Sequence, residues 1–216
     1  MRKKVYGSGV SREQFDLVRP LLGGVRRRTK PRTVHSYFQK WSEPGPDGIS
    51  ILERALKKSV GEERARQGRN STTSFLIVDA QSVKNTDTAG QKGYDAGKKV
   101  SGIQRHIAVD TRGLPHALAV TTAEVTDRTG ALAAFDRCAD NLQQVTSVLV
   151  DGGYSGKPFA EAVQEKLGAT VQVAKRNELH TFAVMHRWVV ERSFAWLEKC
   201  RRLWKTANNP STPACK

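Results

Sequence analysis

Short apolar runs alternate with amphipathic segments through the last two thirds of the chain. Phe75–Val78 and Val148–Val150 are runs of the kind that form buried strands, and residues 102–122 alternate apolar and polar positions around a turn at Asp110–Gly113. Segments with helical spacing separate the later runs. The pattern predicts strands at 75–82, 102–109, 114–122, 147–151 and 170–174, and helices at 131–138, 158–167 and 187 to about 204.

The order βββ-α-β-α-β-α predicts an α/β fold, a mixed sheet with helices on its faces. In such a sheet the first and fourth strands can lie side by side, and we expect residues 73–205 to form this domain. Residues 1–70 are basic, read as short helices and have few apolar positions, so we expect a small helical DNA-binding region that is incomplete. Residues 206–216 are polar and contain two prolines, which predicts a disordered tail.

Three acidic residues have distinctive settings. Asp79 and Asp151 each end a short apolar run that reads as a buried strand, and Glu191 lies on the last helix at the margin of its apolar stripe. Carboxylates from distant parts of a chain can converge on hard divalent cations, which activate an attacking oxygen in phosphoryl transfer. The alternative is that the two aspartates are ordinary strand-end residues. Asp110 also follows an apolar run, but the Thr-Arg-Gly after it predicts a turn.

Charge and composition narrow the partners. The 216 residues include 36 Lys and Arg against 21 Asp and Glu, a net charge of +15, which favours a polyanionic substrate. No apolar run approaches the ~18 residues that a membrane span needs, so we expect a cytoplasmic protein. The three cysteines have neither disulfide nor zinc spacing.

Four stretches, in this order, closely resemble the DDE transposases of bacterial insertion sequences, which have a ribonuclease-H-like core. The resemblance implies that Asp79, Asp151 and Glu191 are the catalytic, metal-binding triad, with two Mg²⁺ or Mn²⁺ ions when DNA is bound. It also implies endonuclease nicking at the element ends, followed by attack of the freed 3′-hydroxyl on target DNA. The matching stretches are 77–84, 93–99, 149–156 and 187–197.

The same resemblance implies double-stranded DNA as partner, a homodimer on that DNA, and association with the nucleoid. Phosphate contacts come mostly from Lys and Arg, although a solvated basic surface is the alternative for each such residue. His106, inside the hairpin, is expected to be packed or hydrogen-bonded. The predicted DNA contacts are Lys84, Lys98, Lys99, Arg105, Tyr154, Arg187, Lys199, Arg201 and Arg202.

The chain also departs from the family pattern. Residues 30–36 stand where further helical sequence is expected, Glu198 replaces an expected basic residue, Val184 replaces an expected tyrosine, and the tail replaces an apolar helix. These departures suggest a shortened N-terminal region and an altered C-terminus. Two alternatives therefore stay open: a degenerate, non-catalytic DNA-binding remnant, and another ribonuclease-H-like nuclease such as a resolvase.

Overall fold

The computed structural model describes residues 12–22, 31–85, 92–174 and 182–199. The chain divides into two compact units, residues 1–71 and 72–216. Among the described residues, no helix is both long enough and apolar enough to cross a membrane.

The described residues of the first unit form three helices: α1 (Arg12–Leu22), α2 (Pro31–Ser42) and α3 (Ile51–Arg66). Ser50 caps α3, since its hydroxyl accepts a hydrogen bond of 3.2 Å from the backbone N–H of Glu53. Ala55 and Val60 are the buried apolar residues of α3. DNA binding by this unit remains a prediction.

The second unit is built on a six-stranded sheet. Four helices and a 3₁₀ turn at Gly152–Tyr154 connect or cover the strands. Its elements are β1 (Phe75–Lys84), β2 (Gly93–Asp95), β3 (Val100–Val109), β4 (Pro115–Thr122), α4 (Asp127–Arg137), α5 (Ala139–Leu142), β5 (Ser147–Val150), α6 (Lys157–Leu167), β6 (Thr170–Val173) and α7 (Phe182–Lys199).

The strand order confirms the predicted mixed sheet. β3 pairs antiparallel with β1 on one side and with β4 and β2 on the other, and β5 and β6 extend the sheet in parallel beyond β1. The predicted neighbours, the first strand and the strand at 147–151, do lie side by side. The βββ-α-β-α-β-α order makes this a ribonuclease-H-like sheet, to which β2 is a short addition.

Helices cover both faces of the sheet because alternate strand residues point to opposite sides. One core contains Leu76, Val78 and Val148 with side chains of α4, α5 and α6. The second contains Ile77, Leu149 and side chains of α7. The two cores fix α4 and α7 on opposite faces of the same strands.

Two helix boundaries and one strand differ from the sequence prediction. α4 begins at Asp127, four residues before the predicted start, because the Thr126 hydroxyl caps the helix by accepting from the Thr129 backbone N–H. α7 begins at Phe182, before the predicted Arg187. The three-residue β2 carries no apolar pattern and owes its strand form to pairing with the start of β3. The tail at 206–216 lies outside the described residues.

Candidate active site

Asp79 and Asp151 lie just beyond the end of the parallel pairing of β1 with β5; Asp151 follows the last residue of β5, and Asp79 lies within β1. The parallel register pairs Ile77 with Leu149, and each aspartate lies two residues further along its chain. Side chains two residues apart on an extended chain point to the same face, so both carboxylates lie on the side of the sheet that α7 covers. Both line one pocket, together with Ala174 and Val190.

Local hydrogen bonds hold both carboxylates. Asp79 Oδ1 accepts from the backbone N–H of Ala80 at 2.8 Å, and Asp151 Oδ1 accepts from that of Gly153 at 2.9 Å. The second contact caps the 3₁₀ turn that follows β5. Both side chains are partly exposed, in keeping with residues that face an open pocket.

Glu191 is carried to the margin of this pocket by α7. Val190 and Phe194 are buried against the sheet, as their helical spacing predicts, and Glu191 is exposed beside them. Val190 lines the pocket and Glu191 is the next residue. In the described part of the chain, no three Asp, Glu, His or Cys side chains lie close enough together to hold a metal ion as a group.

The donor chemistry of the pocket suits a hard divalent cation. Asp79 and Asp151 offer carboxylate oxygens, which Mg²⁺ and Mn²⁺ prefer over the softer ligands of zinc or copper sites. The remaining pocket lining is apolar apart from the backbone. The two aspartates therefore fit such a cation, and Glu191 of α7 follows the pocket residue Val190.

The turn aspartate behaves as the sequence predicted. Asp110 is fully buried, and its Oδ1 accepts from the backbone N–H groups of Arg112 at 2.8 Å and Leu114 at 3.1 Å. Gly113 completes the hairpin turn with a φ of 85°. Asp110 is thus a structural residue of the β3–β4 turn.

Several predicted DNA-contact residues lie at the surface. Lys84 ends β1, Lys99 follows Lys98 in the β2–β3 turn, and Lys199 ends α7; all four are exposed. The Lys98 ammonium lies 3.2 Å from Asp127 Oδ1 and 3.8 Å from Asp95 Oδ2. The Arg187 side chain, Arg201 and Arg202 lie outside the described residues.

Arg105 and Tyr154 are buried, which does not fit the direct DNA contact predicted for them. Arg105 is 8% exposed on β3, and burial lowers the pKa of its guanidinium while the charge of Glu198 acts in the opposite direction. Tyr154 is 1% exposed, with its ring 5.4 Å from that of Phe159 in the core. The burial of Tyr154 could not be predicted from the sequence, because the two glycines before it are typical of an exposed loop.

His106 is packed, as predicted. Its ring is fully buried on β3, with Nε2 at 2.9 Å from Thr121 Oγ1. Burial lowers the pKa of His106 to about 4; the charge of Asp127 acts in the opposite direction and that of Lys98 in the same direction, both more weakly. The ring also abuts Gly130 of α4, where a Cβ would lie 2.0 Å from it.

Sequence reasoning missed Asp127. This first residue of α4 accepts hydrogen bonds from Gln104 and Lys98. A Cβ placed on Gly153 would lie 3.1 Å from Asp151 Oδ1 and 3.9 Å from Asp127 Oδ2, so both carboxylates approach the same turn. The capping signal at Thr126 and Thr129 could have placed Asp127 at a helix start.

Glu198 contacts the same strand as Asp79. Its Oε1 accepts a hydrogen bond of 2.7 Å from Gln81, two residues beyond Asp79. The glutamate that replaces an expected basic residue therefore joins α7 to β1. Val184 is another departure from the family pattern, and its side chain lies outside the described residues.

Comparisons with known proteins identify the family of this chain. A family model for the transposase DDE domain matches residues 70–212. The chain belongs to the DDE transposase family. It is 34% identical over 160 residues, 69% of this chain and 74% of the relative, to a Burkholderia cepacia protein provisionally named as a transposase for insertion sequence element IS402.

Solved structures give weaker likenesses. An intasome structure of simian T-cell lymphotropic virus, in complex with PP2A regulatory subunit B56 gamma, matches with a TM-score of 0.44 and 16% identity over 66% of this chain. The match spans 44% of that chain. The Mos1 mariner paired end complex with Mn matches with a TM-score of 0.31 and 14% identity, over 98% of this chain and 76% of that one.

The family membership makes this protein a bacterial insertion-sequence transposase, an enzyme that transfers phosphoryl groups of DNA. Membership of this family does not favour either alternative, a non-catalytic DNA-binding remnant or a resolvase. DDE transposases generally use a divalent metal ion, which suits the carboxylate pair of the pocket.

Proposed function

We propose that this transposase cleaves DNA at the ends of its insertion sequence and joins the freed ends to target DNA, with Asp79, Asp151 and Glu191 as its catalytic triad. The proposal is supported chiefly by the positions of Asp79 and Asp151. Each lies two residues beyond the last residue pair of β1 and β5, and both line a pocket that Val190 of α7 also lines. Glu191 joins them because it follows the pocket residue Val190 and lies in the matching stretch 187–197.

The chemistry of a phosphodiester explains why carboxylates suffice. Phosphoryl transfer needs an in-line nucleophile and stabilisation of charge on the phosphate oxygens, and little covalent chemistry from the protein. Two Mg²⁺ or Mn²⁺ ions would supply an activated oxygen and neutralise the leaving oxygen. The role of the protein is to hold three carboxylates close together: Asp79 and Asp151 from the sheet and Glu191 from α7.

The order of chemical steps is part of the proposal. A water molecule first cuts the strand at the element end and leaves a 3′-hydroxyl. That hydroxyl then attacks a phosphodiester of the target DNA, and the 3′-oxygen of the target strand leaves. Each step breaks one P–O bond and forms another, so one site serves both.

Basic residues around the pocket would hold the DNA. Surface lysines supply affinity through phosphate contacts, and the net charge of +15 draws DNA to the protein. We assign this role to Lys84, Lys98, Lys99, Arg187, Lys199, Arg201 and Arg202. Pairing of two element ends calls for a homodimer on DNA, and residues 1–70 would add further contacts. We place this activity in the cytoplasm, on nucleoid DNA.

The proposal is tested by cleavage of a labelled duplex that carries the end of the flanking element, with and without Mg²⁺. The wild-type chain is compared with Asp151→Asn and with the control Asp136→Asn, whose side chain is exposed on α4 and pairs with Lys166. We expect the wild type and the control to cut the duplex only with metal, and Asp151→Asn to be inactive. Cleavage that persists in Asp151→Asn would show that Asp151 is not a catalytic residue.

A further inference from the structure

The turn between β2 and β3 carries two of the predicted DNA contacts, Lys98 and Lys99, on a strained backbone. Lys99 has a φ of 54° and is the only non-glycine residue with a positive φ among the described residues. Residues with a side chain seldom adopt this left-handed conformation, and it persists only where neighbouring contacts hold it. The contacts that hold this turn therefore bear on where its two lysines lie.

Two carboxylates hold the turn, one from β2 and one from α4. Asp95 Oδ1 accepts from the Lys98 backbone N–H at 3.0 Å, and Asp95 Oδ2 accepts from the Ser82 hydroxyl of β1 at 2.8 Å. On the α4 side, the Lys98 ammonium donates to Asp127 Oδ1 at 3.2 Å. The buried side chain of Gln104 donates to the same oxygen and so fixes the Asp127 carboxylate.

The start of α4 also contacts the turn that follows Asp151. Arg128 donates from Nε to the Gly153 carbonyl at 3.0 Å, and the Gly153 backbone N–H donates to Asp151 Oδ1 at 2.9 Å. A Cβ on Gly153 would lie 3.9 Å from Asp127 Oδ2. The start of α4 therefore joins the basic β2–β3 turn to the turn beside the pocket, and Asp127 is its contact with the basic turn.

The ion pair of Asp127 with Lys98 is too exposed for stability to be its main contribution. The Lys98 side chain is 42% exposed and that of Asp127 29%, and ion pairs at such sites add little to the free energy of unfolding. The position of the turn is more sensitive to the pair. A shift of about 1 Å in a group that holds the substrate can slow the chemical step ~100-fold.

We propose that Asp127 is a positioning residue, whose ion pair with Lys98 sets the place of the β2–β3 turn relative to the pocket of Asp79 and Asp151. The inference rests on the proposed function, in which Lys98 and Lys99 hold DNA phosphates. A phosphate bound by this turn is then kept at a constant distance from the phosphodiester in the pocket. Asp127 acts through Lys98 and touches neither DNA nor a metal ion.

The test compares Asp127→Asn with Asp140→Asn in binding and cleavage of the labelled duplex. Asp127→Asn keeps an oxygen for Gln104 to donate to and removes the charge that pairs with Lys98. Asp140 is the matched control, because it is exposed, lies in the first turn of α5 and changes the net charge equally.

At saturating DNA, we expect the single-turnover cleavage rate to fall about 10-fold in Asp127→Asn and to stay level in the control. The Kd for DNA and the Tm should be the same in the two variants. Equal cleavage rates would overturn the inference. A slower rate that comes with a matching loss of DNA binding or of Tm would also overturn it, since the role would then be in folding.

Lys98→Gln tests whether Asp127 acts through Lys98. If it does, the double variant with Asp127→Asn cleaves no more slowly at saturating DNA than the slower of the two single variants, as for residues of one pair. Single losses that multiply in the double variant would show independent roles and overturn the inference.

Hydrogen exchange of the protein without DNA separates failure of the inference from failure of the proposed function. We expect faster exchange of the backbone N–H groups of residues 95–100 in Asp127→Asn than in Asp140→Asn, because the turn has lost a contact. Equal exchange overturns the inference, while cleavage by the wild type that depends on Asp151 still supports the proposed function. Different exchange without such cleavage overturns the proposed function, and with it the role given to the turn.

Discussion

Aspartates follow short apolar runs in two regions of the second unit, and the two regions use them differently. At the β1–β5 edge, Asp79 and Asp151 are partly exposed and line a common pocket. At the β3–β4 turn, Asp110 is fully buried and one of its oxygens accepts two backbone hydrogen bonds. Asp110 and Asp151 each follow the last residue of a strand, whereas Asp79 lies within β1, which continues to Lys84. The residues after Asp110 and Asp151 account for the different use of these two side chains.

The chain after each aspartate decides its role. After Asp110 a tight hairpin turn brings the backbone N–H groups of Arg112 and Leu114 to the carboxylate. They donate hydrogen bonds to Asp110 Oδ1, so this side chain stabilises the turn. After Asp151 the chain leaves the sheet for α6. Because β5 lies parallel to β1, Asp151 and Asp79 line one pocket just beyond the end of the β1–β5 pairing. Open edges at strand ends are where α/β proteins place their chemistry.

The largest expected effect is on catalysis at the open edge. Asp79→Asn and Asp151→Asn should each lower DNA cleavage by about 10³-fold, equivalent to ~4 kcal/mol in the barrier, because each removes a charge that the transition state requires. Thermal unfolding should change little. Single-turnover cleavage rates measure the first effect, and equal rates in variant and wild type would show that the pocket is not the active site.

The next effect is on stability at the turn. Asp110→Ala should cost about 3 kcal/mol of unfolding free energy, since it removes the fully buried carboxylate that accepts from the Arg112 and Leu114 N–H groups of the turn. Urea unfolding gives the value. Asp136→Ala, at an exposed ion pair, should cost below about 0.5 kcal/mol; an Asp110 variant as stable as this control would contradict a structural role for the turn aspartate.

A pH effect of intermediate size is expected from His106, on the α4 side of the sheet. Its folded pKa of about 4 is below the usual 6.5, so the unfolded chain binds the proton more readily and stability is lost as pH falls from about 6.5 to about 4. The contribution is about 3 kcal/mol, present in full above pH 6.5.

The His106 effect is measured as the pH dependence of unfolding in wild type minus that in His106→Asn. The variant is less stable throughout, but the difference between the two should shrink as pH falls through this window. A difference that stays constant from pH 7 to pH 4 would show that His106 titrates normally in the folded protein.

The smallest effect concerns the contact of the turn with α7. Gly113 has a positive φ of 85°, and an added Cβ would lie 2.9 Å from Ser193 Oγ, which donates a hydrogen bond to the Gly113 carbonyl. Gly168→Ala is the matched control, because φ is 66° there and nothing lies within 4 Å. Gly113→Ala should cost about 1 kcal/mol more in urea unfolding than this control. Equal costs would mean that backbone strain alone acts at both positions.

The sequence allowed the sheet to be predicted, because its strands are apolar runs bounded by Asp and Gly. It also allowed Asp110 to be separated from Asp79 and Asp151, since the residues after Asp110 are turn formers. The start of α4 was missed because Arg128, Thr129 and Gly130 carry no apolar stripe, and the helix there depends on the Thr126 cap and on close packing of Gly130 against His106.

Burial at the site was harder to predict than position. Arg105 and Tyr154 have polar groups that suit DNA, yet β3 is buried on both faces and the turn after Asp151 folds Tyr154 into the core. Asp127 was missed because nothing in its local sequence indicates that it lies near the site. Its place beside Asp151 depends on contacts between α4 and the turn at Gly153, which no local pattern shows.

The most direct test of the account is to locate a bound cation on the polypeptide. Fe²⁺ substituted for Mg²⁺, with ascorbate and peroxide, generates radicals that cut the backbone beside the metal, and the fragments are read by mass spectrometry. We predict cuts near residues 79 and 151, suppressed by excess Mg²⁺ and absent in Asp151→Asn. Cuts confined to other segments, or cuts that Mg²⁺ does not suppress, would contradict a metal site at the β1–β5 edge.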